Sequence, residues 1–96
     1  MKIFDKASWH IDAGENKEMV IDRLSAVMDY LNRHNMLSED GIEIFQIGVD
    51  SSFSLHEKMV NEKGLAFLSE HYDSMLQMGF DELKSFLQNL ADTNEF

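Results

Sequence analysis

Met36-Leu37-Ser38-Glu39-Asp40-Gly41 and Met59-Val60-Asn61-Glu62-Lys63-Gly64 are two copies of one phrase. An apolar run follows each, Ile42-Glu43-Ile44-Phe45 after the first and Leu65-Ala66-Phe67-Leu68 after the second. The second copy reads plainly. Asn61 is a helix-capping residue, and Leu65, Leu68, Tyr72 and Met75/Leu76 then keep helical spacing up to a stop at Gly79. The first copy has two readings. Ser38 can cap a helix whose first turn holds Glu39 and Asp40, where the helix dipole favours negative charge. Yet Ser at the first position and Gly at the fourth is also a type I turn signature. Residues 42–49 are rich in β-branched side chains that point in nearly every direction on a helical wheel, and Ser52-Phe53-Ser54-Leu55-His56 alternates. A short β-hairpin at 42–56 is therefore the alternative. Likeness to the second copy favours a helix over 38–48. The expected fold class is mainly α, one domain of about four helices, with α+β and the hairpin at 42–56 as the other possibility.

Outward from the repeat, Val20, Leu24, Val27, Met28 and Leu31 predict an amphipathic helix over 15–35, with Asn35 at its end. Asp12-Ala13-Gly14-Glu15 has the spacing of a capping box before it. Residues 1–14 keep no sustained period. Phe80, Leu83, Phe86, Leu87, Leu90 and Ala91 predict a last helix to about residue 91, with Asp81 and Glu82 in its first turn. Met36 and Met59 precede the two caps at equivalent places, where an apolar residue can staple a helix start. Gly41 and Gly64, costly in a first helical turn, predict a turn or a close approach that excludes a Cβ. The acids beside them already occupy the niche an anion would take.

At 96 residues the chain is one domain, 1–96. It should bury roughly two-thirds of its unfolded surface, enough for one modest core. There is no cysteine, which excludes disulfides, thiolate metal sites and a thiol nucleophile. The opening residues lack the apolar stretch of a secretory signal, and no segment approaches a membrane span, so a cytoplasmic protein is expected. Net charge is −10, from 18 acidic and 8 basic residues spread along both halves. Such a field disfavours nucleic acid and anionic membranes as partners and attracts a basic protein.

Chemistry is hard to find. His10-Ile11-Asp12 would put an imidazole and a carboxylate on one side of an extended segment, although a surface His beside a helix cap is the simpler reading. His56-Glu57 begins like a zinc-protease motif but lacks the second His one turn on. His71 and His34 fit a partly packed side chain and a helix end. No Gly-x-Ser-x-Gly elbow, phosphate-cradling glycine loop, dinucleotide fingerprint or calcium loop occurs, so no catalytic, metal or cofactor residue is assigned. Trp9 is either a lid over the core or an exposed binding anchor. Met28 and Met75 lie on core stripes, whereas Met78 has no obvious core role. The candidate interaction residues are Trp9, His10, Asp12, His56, Glu57 and Met78.

The stretch Trp9-His10-Ile11-Asp12, with Gly14-Glu15 and the two repeat phrases, resembles a family of small acidic bacterial proteins of unassigned function. The likeness spans residues 9 to about 76 and implies no catalytic residue. In composition the chain is also similar to immunity proteins that neutralise toxins. The function expected is non-enzymatic protein–protein interaction, of immunity or inhibitor type toward a basic partner. A homodimeric structural or regulatory subunit is the alternative. A small His/Asp-dependent enzyme or ligand carrier comes third.

Overall fold

The two phrases fold against each other. In the computed structural model, which describes residues 1–92, Ser38 and Asn61 each cap a helix. Ser38 Oγ accepts from the Gly41 N–H at 3.1 Å, and Asn61 Oδ1 accepts from the Gly64 N–H at 3.0 Å. Each cap residue also binds the other copy. The Ser38 N–H donates to Met59 O and the Asn61 N–H to Met36 O, both at 3.0 Å. Ser38 Oγ donates to Lys58 O at 2.6 Å, and Asn61 Nδ2 to Asn35 O at 2.7 Å. Between them Leu37 and Val60 form an antiparallel bridge. The result is a clasp with local two-fold symmetry, in which each of these bonds from one copy has its counterpart from the other.

That symmetry explains the glycines. A Cβ on Gly41 would fall inside contact distance of Met59 O, and one on Gly64 would do the same to Met36 O. The expected close approach is therefore real, and its obstacle is backbone.

The elements in order are β1 (Ile3–Lys6), α1 (Ala7–Asp12), α2 (Lys17–Arg33), α3 (Glu39–Ile47), β2 (Ser54–His56), a 3₁₀ turn (Glu57–Met59), α4 (Glu62–Met75) and α5 (Phe80–Asp92). The fold is mainly helical, as expected, and the first repeat copy does start a helix. The hairpin alternative is overturned as a pairing. Residues 42–47 are helical, and β2 instead pairs antiparallel with the N-terminal β1, through Ile3 with His56, Asp5 with Leu55 and Lys6 with Ser54. An irregularity between Ile3 and Asp5 breaks the register.

α2 buries Val20, Leu24, Val27, Met28 and Leu31, the stripe read from sequence, and Tyr30 besides. Its end is a Schellman motif: Asn35 is left-handed (φ 57°), its N–H donates to Asn32 O, and the Met36 N–H reaches back to Leu31 O at 2.9 Å. Its start differs from the capping-box reading. Asp12 ends α1, and Asn16 caps α2 by accepting from the Met19 N–H at 3.1 Å. α4 and α5 add Phe67, Leu68, Tyr72, Met75, Leu83, Leu87 and Leu90 to one continuous core. Tyr30 stacks on Phe67 with ring centroids 5.0 Å apart. Such a pair contributes ~0.5–1.5 kcal/mol beyond its buried area. No helix among the described residues is long and apolar enough to cross a membrane.

Candidate functional site

β1 carries Asp5, a charged residue in the core, only 3% exposed. Three groups from different elements converge on it. Tyr72 Oη of α4 donates to Asp5 Oδ2 at 2.5 Å, His10 Nε2 of α1 lies 2.7 and 2.9 Å from the two carboxylate oxygens, and the Lys6 N–H donates to Oδ1 at 2.8 Å. On its other side the His10 ring meets Glu15, with Nδ1 2.7 Å from Oε2. A neutral imidazole donates only one N–H, and carboxylates only accept. Carboxylates at both nitrogens therefore favour imidazolium. Burial would push the His10 pKa down, but the hydrogen bonds and charges of Glu15 and Asp5 outweigh it and hold it above the ordinary 6.5. Burial, with Asp5 behind it, pushes the Tyr72 phenol well above its usual range. The phenol stays a donor.

Arg23 of α2 closes the group. Its Nη2 donates to Met75 O at 3.1 Å, while its Nε is buried without a hydrogen-bond partner among the described residues. The space left between Asp5, His10, Arg23 and Tyr72 is ≈ 10 Å³, about one water. With both ring nitrogens engaged, His10 has none free to take a proton from a substrate. The cluster ties the N-terminal segment to α4 across 67 residues of sequence.

The candidates read from sequence are dispersed. Trp9 is 53% exposed, with the Lys6 ammonium 5.8 Å from its ring centroid. It is not a lid, because the one-and-a-half-turn α1 buries Ala7 and turns Trp9 outward. The alternative reading, a His10–Asp12 pairing, is also overturned. The segment is helical rather than extended, so side chains two apart diverge, and His10 takes Asp5 and Glu15 instead. Asp12 is exposed. Glu57 is held by the Lys2 N–H at 2.9 Å. Met78 has a core role after all, packing partly buried against the main cluster. His34 stacks on Tyr30, His71 lies between Phe67 and Phe86, and His56 lies in β2, so the four imidazoles have separate surroundings. No group of three or more His, Cys, Asp or Glu among the described residues could hold a metal ion. Periodicity puts Tyr72 on a helical stripe but does not show Asp5 or the bond between them, since nothing local marks a pair so far apart.

Open clefts lie elsewhere among the described residues. One, ≈ 240 Å³ between α2 and α5, is lined by Tyr30, Arg33, His34 and Lys84 among others, and Arg33 there is already paired with Asp29 at 2.9 Å. Another, ≈ 330 Å³, lies between the end of α3 and β2. It is lined by Ile44 and Ile47 of α3, by Asp50 and Ser52 of the connecting loop, and by Phe53, Ser54 and His56 at β2. Ile47 is 81% exposed and Ile42, also on α3, 41%. Of the acidic residues in 1–92, all but Asp5, Asp29 and Glu57 are exposed; Asp29 and Glu57 are half-exposed and Asp5 is buried.

Comparison with protein families, with curated proteins and with solved structures gives no match to this chain.

Proposed function

We propose that this chain is a cytoplasmic, non-enzymatic interaction module of immunity or inhibitor type that binds a basic protein partner. The observation that carries this reading is the state of its acids. They stand exposed over the whole molecule, and Asp29–Arg33 is the one carboxylate pairing with Lys or Arg among the described residues. Unpaired surface carboxylates steer a basic partner and speed its encounter. Trp9, half exposed on a helix tied down by the Asp5–His10–Tyr72 cluster, supplies the kind of fixed aromatic that anchors interfaces.

The test is capture of the partner, its purification, and titration at about 50 and about 300 mM NaCl, where screening lengths differ by more than twofold. The partner should be basic and its affinity should fall at least tenfold at the higher salt. An acidic partner, or affinity indifferent to salt, ends the reading. The exposure of Trp9, Ile42 and Ile47 favours self-association as a second reading. A monomer mass that stays constant as concentration rises removes it.

A further inference from the structure

Among the described residues the sheet has two strands, so β2 pairs with β1 on one side and has no strand partner on the other. Which main-chain groups face the free side follows from the ladder. The Ala7 N–H donates to Phe53 O and the Glu57 N–H to Lys2 O, both at 3.0 Å. In an antiparallel pair, bonded positions alternate with positions whose N–H and C=O point away from the partner. Phe53, Leu55 and Glu57 therefore face β1, and the N–H and C=O of Ser54 and His56 face outward. An open edge of this kind is a template for another strand.

Ser54 and His56 also line the ≈ 330 Å³ cleft, whose lining includes Ile44, Ile47 and Asp50 and no Lys or Arg. Asp40 and Glu43, exposed one or two turns before Ile47 on α3, add negative charge. The Asp50 carboxylate is held locally by the Ser52 hydroxyl and N–H, which keep its pKa below the ordinary value, with a smaller contribution from the Lys17 charge. Within the cleft, His56 Nδ1 is buried and has no hydrogen-bond partner among the described residues.

From this juxtaposition we propose that the cleft between α3 and β2 takes an extended basic segment of a partner protein as a third strand. The segment's main chain bonds to the outward N–H and C=O of Ser54 and His56. One alternate set of its side chains is apolar and seats against Ile44 and Ile47. The other set is Lys or Arg and meets Asp40, Glu43 and Asp50. Main-chain bonds and alternate-side-chain pockets are the two components of strand addition. The inference rests on the basic-partner reading and adds the place and conformation of the bound segment.

The probe is an acetylated Lys-Val-Lys-Ile-Lys-Val-Lys peptide, titrated into the ¹⁵N-labelled protein. Its controls are the same peptide with Glu for Lys, and one with Pro at the central position. The Lys peptide should shift the Ser54 and His56 amides, slow their hydrogen exchange, and lose at least tenfold in affinity in Ile47→Lys, a fully surface change that leaves the fold intact. The Pro peptide should bind several-fold more weakly, because it lacks a main-chain donor. If the Lys peptide binds but shifts amides around Trp9 or along α4 and α5 instead, the cleft is wrong and the basic-partner reading survives. If the Glu peptide shifts the same Ser54 and His56 amides equally, the charge argument is wrong. If the Lys peptide does not bind at all, the third-strand proposal falls, and the basic-partner reading is decided by the salt titration of the captured partner.

Discussion

Replacing Gly41 or Gly64 by alanine sets two effects of opposite sign against each other. Helix propensity favours alanine by up to about 1 kcal/mol. Against it stands a new Cβ driven into the carbonyl oxygen of Met59 or Met36, an obstacle that is backbone and cannot swing aside. Overpacking of that kind costs about 1–3 kcal/mol, so each substitution should lower the urea midpoint. A raised midpoint would show that the clasp opens freely. Tyr72→Phe leaves the buried Asp5 one donor short, with His10 and the Lys6 N–H remaining. A bond to a charged group gives up about 1.5–3 kcal/mol, again read from urea unfolding. His10 supplies the pH dependence. Its folded pKa is raised, so its contribution is fully present below the ordinary 6.5 and is lost as pH rises through the higher folded value. Unfolding measured across that window should show stability falling with pH, and His10→Gln should flatten the fall. An unchanged slope in the variant would assign it to another group.

At the scale of elements, Ser38 and Asn61 do two jobs each, accepting from a glycine N–H in their own helix and donating to the carbonyl just before the other copy. Ser38→Ala and Asn61→Ala should each cost about 1–2 kcal/mol. Because both side chains brace one clasp, the double variant should cost less than the sum by at least about 0.5 kcal/mol. Strict additivity would mean that the caps act alone. The caps themselves were legible: an acceptor side chain three residues before a glycine, followed by a helical stripe, reads directly as a helix start. What the sequence does not display is that the two phrases bind each other, since symmetry between separated segments leaves no periodic trace. The same reason hid β1, whose partner lies some fifty residues away. α1 is too short to establish a period, so its end at Asp12 looked like the start of α2. Of the candidate site, Trp9 and His10 were legible by residue type. The Asp5–Tyr72 bond was not, because only the tertiary fold brings the two side chains together.

For the whole molecule, salt should move stability and binding in opposite directions. The chain carries −10, and the described residues offset it with a single Lys/Arg–carboxylate pair, Asp29–Arg33, exposed and four residues apart on one helix. Such a pair is worth only ~0.3–0.5 kcal/mol. Screening therefore removes little attraction while it relieves repulsion among carboxylates that folding has drawn together. Raising NaCl from about 20 to about 300 mM should lift Tm by a few degrees, since ~1 kcal/mol shifts a domain of this size by about 4–8 °C. The same change should weaken a basic partner, because attraction between the molecules is screened just as repulsion within one of them is. Calorimetry of the free protein and titration of the complex in matched buffers read both signs. A Tm that falls with salt would mean that attractive pairs dominate the surface, and the carboxylates would then be engaged at home rather than free for a partner.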